Sequence, residues 1–146
     1  ELIVIHYTAM ASAEAALDRL CSPEHEVSCH YLIAQDGALW QMVEEDRRAW
    51  HAGVSFWRGA TDINARSIGI ELVNDGDGKD PFPPAQLEAV TALVKKLSAD
   101  YGLGPEDVFS HSELDPRRLE GCGDNYRRVD PGPLFPMTDL KAALAD

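Results

Sequence analysis

Leu2-Ile3-Val4-Ile5-His6 and Ile68-Gly69-Ile70-Glu71-Leu72-Val73 are the stretches that decide the fold. Each is a short, nearly unbroken apolar run rich in β-branched residues, which predicts a buried strand. Working outward, Pro105 to Ser110 leads into another short strand through Val108-Phe109. His30 to Ala34 and Ala38 to Val43 flank Gln35-Asp36-Gly37, and Asp-Gly between two apolar runs predicts a hairpin. Helices are expected between these strands. Ser12 is placed to cap one that runs through Cys21, with Ala13, Ala16, Leu17 and Leu20 on a shared face. Leu87, Val90, Leu93, Val94 and Leu97 recur at helical spacing over 85–101, with Pro84 at the start. Thr138 is the expected cap of a last short helix containing Leu140, Ala143 and Leu144. Residues 44–66 are polar, with Trp50, Phe56 and Trp57 interspersed, and read as a long ordered loop. Residues 112–137 read as irregular. Alternating strands and helices, without an internal repeat, predict an α/β domain: a mixed central β-sheet flanked by helices.

The bulk numbers narrow the function. A chain of 146 residues is the size of one domain, and its burial needs no staple. A net charge of −12 argues against nucleic acid, because phosphate binding needs a Lys/Arg surface. No stretch approaches the ~20 apolar residues of a membrane span. Three cysteines, Cys21, Cys29 and Cys122, are too few and odd in number for a disulfide framework. The chain begins at Glu1, directly on a strand and without Met, which leaves an upstream export or anchor segment open.

The chemistry-bearing residues sit at the ends of the predicted strands. His6 closes the first apolar run, and His111 follows Val108-Phe109-Ser110. Asp130 opens the restricted segment Asp130-Pro131-Gly132-Pro133. In open α/β sheets, ligands collect beyond the carboxyl ends of strands, so two distant histidines can converge there. Two imidazoles and a carboxylate suit a catalytic zinc that keeps a position for water. Glu71 shares its strand face with Gly69 and Val73 and not with Ile68, Ile70 and Leu72. A carboxylate in so apolar a strand loses hydration, which raises its pKa and suits a general base. Its structural alternative is an ion pair with an arginine such as Arg66.

Six blocks then occur in order: Ile3-Val4-Ile5-His6-Tyr7-Thr8; Ser28 to Ile33 with Asp36-Gly37; Ala49-Trp50-His51-Ala52-Gly53; Asn64 with Ser67 to Leu72; His111-Ser112-Glu113; and Asp130-Pro131-Gly132-Pro133. Together they resemble the zinc-dependent N-acetylmuramoyl-L-alanine amidases of the type-2 amidase family, in its AmpD-like branch. Peptidoglycan recognition proteins and phage lysozyme-type amidases share that fold. The resemblance runs from about Leu2 to Phe135 and implies one amidase domain over 1–146, with its zinc site in a surface groove. It implies His6, His111 and Asp130 as zinc ligands and Glu71 as the catalytic glutamate. Trp50 and His51 match a stretch lining the substrate groove, and Asn64 matches a loop that binds substrate or braces the wall. The implied substrate is peptidoglycan or a muropeptide, cut between the lactyl group of N-acetylmuramic acid and L-Ala.

Two departures stand out against the family pattern. The run from His111 to Asp130 spans 19 positions, longer than the family's, and reads as an inserted loop over 119–127. Arg128 stands where the family commonly has a lysine that aids the oxyanion. Arginine keeps the charge but is a poor proton donor, so Arg128 is assigned electrostatic help. Arg127, Arg117 or Arg118 would substitute if the alignment shifts, and Cys122 is the alternative ligand to Asp130. The rival from another class is a non-catalytic peptidoglycan-recognition module. A zinc peptidase with another scissile amide is the enzyme rival. The aromatic segment Phe56-Trp57-Arg58-Gly59 is similar to exported relatives and favours the periplasm, with the cytoplasm as the alternative.

Overall fold

Five strands, β1 (Leu2–Tyr7), β2 (Tyr31–Ile33), β3 (Leu39–Gln41), β4 (Ser67–Leu72) and β5 (Val108–Ser110), form one sheet in the order β3-β2-β4-β1-β5. The computed structural model describes residues 1–115 and 129–145. The central strand β4 pairs parallel with β1 and β2, and β1 pairs parallel with β5. Only β3 runs antiparallel, as the hairpin partner of β2. The sheet is therefore mixed as expected, and the carboxyl ends of its four parallel strands share one edge.

One face of the sheet carries the larger core. Ile3, Ile5, Ile68, Ile70 and Leu72 pack there against Val90, Leu93, Val94 and Leu97 of helix α2 (Pro84–Tyr101) and Leu140 of helix α3 (Met137–Ala145). Of the α2 stripe read from the sequence, Val90, Leu93, Val94 and Leu97 are buried and Leu87 partly so, and each fully buried side chain contributes roughly 1.5–3 kcal/mol. Gly102 ends the helix at φ 65°, in the left-handed region, with its N–H bonded to the Ser98 carbonyl. Gln86 reaches from the first turn of α2 to donate to the carbonyls of Ile33 and Val73, at 3.0 and 3.1 Å. It thereby ties the ends of β2 and β4 to the helix.

The opposite face is split. Leu2, Val4, Ala52, Ile63, Phe109 and Leu114 form one cluster. Ala16 of helix α1 (Ala13–Cys21), Cys29, Leu32, Ala34 and Val73 form another. His6, Gly69 and Glu71 lie on this face, in register with Val4 and Leu32 on the neighbouring strands. A row of histidines occupies the gap between the two apolar clusters.

Local signals explain most element ends. Ser12 caps α1 by accepting the Ala15 N–H at 3.1 Å. Thr138 does not cap α3: it is the second residue of that helix, and the Leu140 N–H already bonds to the Pro136 carbonyl. Pro136 supplies the first helical carbonyl without needing a side-chain acceptor, which displaces the start ahead of Thr138. The segment expected to be irregular after His111 begins with a short 3-10 helix, Ser112–Leu114. The long loop over 44–66 holds another, Ile63–Arg66.

Candidate metal centre and active site

The edge where the parallel strands end brings His6, His111 and Asp130 together. His6 is the fifth residue of β1, and His111 directly follows β5. Its backbone N–H bonds to the Ile5 carbonyl, which extends the ladder past the strand end. Asp130 arrives on the turn around the cis Asp130–Pro131 bond, and the Ser112 N–H holds its carbonyl at 3.1 Å. The two Nδ1 atoms lie 2.9 Å apart, and Asp130 Oδ2 lies 2.9 Å from His6 Nδ1 and 3.1 Å from His111 Nδ1. All three side chains are buried. Burial alone would raise the Asp130 pKa, but the adjacent His111 and His6 imidazoles outweigh it and hold the carboxyl below its usual range.

The donor set fits a tetrahedral metal. Donors bound to zinc at their usual bond lengths lie roughly 3.3 Å apart, close to the spacings seen here. The trio is the one group of His, Cys, Asp or Glu with metal-ligand spacing among the described residues. Two neutral imidazoles and one carboxylate are also the donor types that suit zinc.

Each histidine is held from behind. His111 Nε2 lies 2.7 Å from the Ala52 carbonyl. His6 Nε2 lies 2.9 Å from Nδ1 of His51, whose Nε2 is 3.0 Å from Ser67 Oγ. Ser67 Oγ–H donates to the Ile63 carbonyl at 2.7 Å. Asn64 braces the same wall: its Oδ1 accepts the backbone N–H groups of His51 and Ala52 at 3.0 and 2.8 Å. Burial, followed by the nearby His6, His30 and His111, holds the His51 imidazole well below its ordinary pKa.

His51 is buried behind His6. Its ring fills the space above Gly69, where an added Cβ would come within 2.4 Å of it. The sequence did carry a signal for this, because glycine inside a strand often marks a close approach. His30 is fully buried: its Nδ1 accepts the Gly69 N–H at 3.0 Å, and its Nε2–H donates to the Arg47 carbonyl at 2.8 Å.

Glu71 is the register partner of His6 on the adjacent strand. Its Oε2 is buried and has no hydrogen-bond partner among the described residues. Burial, reinforced by the negative charge of Asp130, pushes its pKa well above the ordinary value. Arg66 does not neutralise it, since that guanidinium pairs with Glu1 at the surface. Glu71 instead borders a cleft of about 120 Å³, together with Thr8, Arg19, Ser28, Trp50 and His51. Trp50 is 55% exposed at the rim, with the Arg48 guanidinium 4.1 Å from its ring centre. Cys29 is no nucleophile candidate: burial and then the charge of Glu71 push its thiol pKa well up. Arg128, Arg117, Arg118, Arg127, Cys122 and the 119–127 insertion lie outside the described residues.

The fold and this centre define a single class. Residues 1–133 match the family model described as N-acetylmuramoyl-L-alanine amidase, and the chain belongs to that family. Among its relatives is N-acetylmuramoyl-L-alanine amidase AmiD of Escherichia coli K12. It is 40% identical over 154 residues, covering 96% of this chain and 51% of AmiD. The 1,6-anhydro-N-acetylmuramyl-L-alanine amidase AmpD of Enterobacter cloacae is 36% identical over 118 residues, covering 81% of this chain and 57% of AmpD. The solved structure of E. coli AmiD with anhydro-N-acetylmuramic acid-L-Ala-D-gamma-Glu-L-Lys superposes with a TM-score of 0.84. There the identity is 39%, covering 98% of this chain and 56% of that one. The chain thus spans about half the length of the curated relatives it matches.

Proposed function

We propose that this chain is a zinc-dependent amidase domain that hydrolyses the amide between N-acetylmuramic acid and L-alanine in peptidoglycan or muropeptides. The observation that carries the proposal is the His6–His111–Asp130 cluster with the buried Glu71 as its register neighbour. The substrate class follows from the family and from the muropeptide in the related AmiD complex.

His6 Nδ1, His111 Nδ1 and Asp130 Oδ2 would hold the metal. Zinc there supplies Lewis acidity toward a carbonyl and toward water. Glu71 takes a proton from the attacking water, its raised pKa making it a stronger base than an ordinary carboxylate. The water oxygen bonds to the scissile carbonyl carbon, the C–N bond breaks, and Glu71 returns the proton to the departing amine of L-Ala. Atoms and protons balance, so Glu71 ends each turnover as it began. Trp50 offers an exposed apolar plate at the rim, and His51 and Asn64 shape the wall beneath it. Arg128 is assigned electrostatic help to the developing oxyanion. Muropeptide is the proposed partner, and the acidic chain disfavours nucleic acid. No described helix is long and apolar enough to cross a membrane. Action at the cell envelope, in the periplasm, is part of the proposal; the cytoplasm is the alternative compartment.

A muropeptide with an intact sugar–peptide amide, incubated with zinc-loaded and chelated protein and read by mass spectrometry, tests this reading. Release of a peptide with N-terminal L-Ala, lost on chelation, is expected. Cleavage elsewhere in the stem peptide would indicate a zinc peptidase. Retention of the muropeptide without cleavage would leave the non-catalytic recognition module.

A further inference from the structure

We infer that Ser67 and His51 are positioning residues that fix the tautomer of His6, so that its Nδ1 presents a lone pair to the metal centre. This rests on the metal-site reading of His6, His111 and Asp130 and goes beyond it, to the protons behind the ligands.

The hydrogen-bond directions follow from one end of the chain of contacts. The Ile63 carbonyl can only accept, so the single Ser67 hydroxyl hydrogen points to it across 2.7 Å. Ser67 Oγ, 3.0 Å from His51 Nε2, must then accept, and Nε2 carries the His51 ring proton. An imidazole buried this deeply stays neutral, because an unpaired charge there is costly. Its Nδ1 is therefore an acceptor. It accepts a hydrogen bond from His6 Nε2–H at 2.9 Å. A neutral His6 with its proton on Nε2 has its lone pair on Nδ1, the atom 2.9 Å from both His111 Nδ1 and Asp130 Oδ2. His111 reaches the same tautomer by a shorter route, donating from Nε2 to the Ala52 carbonyl.

Three features of the fold converge on this relay. Ser67 and Ile63 belong to one tight turn entering β4. Asn64, in that turn, also clamps the backbone of His51. Gly69 leaves the space that the His51 ring needs. Partners behind metal-bound histidines typically alter metal affinity about 10–100-fold when removed.

The first test needs no substitution. Long-range 15N–1H correlation spectra of the metal-free protein report which ring nitrogen of each histidine carries the proton. His6 is expected with its proton on Nε2, and His51 likewise. The second test titrates zinc against a chromophoric chelator in Ser67→Ala, His51→Leu and His51→Asn. Ser67→Ala is expected to weaken zinc about 10-fold and His51→Leu about 10–100-fold. His51→Asn, whose amide oxygen can accept from His6, is expected to recover most of the loss. His6 protonated on Nδ1 in the metal-free protein, or zinc affinity unchanged in both Ser67→Ala and His51→Leu, would overturn the relay. Failure of the unsubstituted protein to take up zinc, with the tautomers as expected, would overturn the metal reading and leave the relay standing.

Discussion

Glu71 is under two opposed demands. To act as a base it must give up its proton, yet it sits in a strand where the charged form is poorly solvated. In the metal-free protein its raised pKa sets the sign of a stability effect. Between the ordinary value of 4.5 and the raised one, the folded chain holds a proton that the unfolded chain has lost. Stability therefore falls as pH rises through that window. Glu71→Gln removes the penalty, so the chelated variant is expected to melt above the unsubstituted protein at pH 7. A gain of ~1 kcal/mol would appear as roughly 3–5 °C in a domain of this size. The difference should shrink towards pH 4. Calorimetry at both pH values checks this, and a lower melting temperature for the variant at pH 7 would contradict it. The sequence disclosed Glu71 because a lone carboxylate among branched apolar residues is conspicuous. Gly69 signalled a close approach, but that the His51 ring makes it was not legible, since this depends on which distant segment packs there.

Gly69 shows how an element can be specified for the site and not for itself. A strand gains nothing from glycine in its middle, yet this one tolerates it between Ile68 and Ile70. The reason is steric, because an added Cβ would come within 2.4 Å of the His51 ring. Gly69→Ala must displace that ring. It is expected to cost about 1–3 kcal/mol, as overpacked interiors do. It is also expected to weaken zinc binding, because the displaced ring no longer receives the His6 proton. Chemical denaturation and zinc titration of the variant check both, and unchanged values in the two would refute the steric account. At this scale the sequence was largely readable. The α2 stripe, the Ser12 cap and the Asp-Gly hairpin each rest on signals a few residues long. Thr138 misled because a cap-type residue next to Pro136 competes with a helix start the chain has already made.

The whole molecule separates its stability from its chemistry. The core between the sheet and helices α2 and α3 is continuous, while the opposite face is divided and gives the space between its halves to polar side chains. Strand pattern predicted the mixed sheet and its functional edge, because carboxyl ends of parallel strands collect ligands wherever they occur. It could not disclose that the second face would be divided by histidines, which is a property of packing between remote segments. Since the larger core does not include the proposed metal ligands, chelation is expected to lower the melting temperature while leaving the far-ultraviolet circular dichroism at 25 °C unchanged. Loss of that signal on chelation would show that the metal is needed for folding itself. The most direct test of the account compares Glu71→Gln with His6→Ala for zinc affinity and muropeptide turnover in parallel. Glu71→Gln is predicted to bind zinc about as tightly as the unsubstituted protein while losing at least about 100-fold in turnover, and His6→Ala to lose both. Turnover retained in Glu71→Gln would contradict the assignment of the base, and zinc retained at full affinity in His6→Ala would contradict the metal centre.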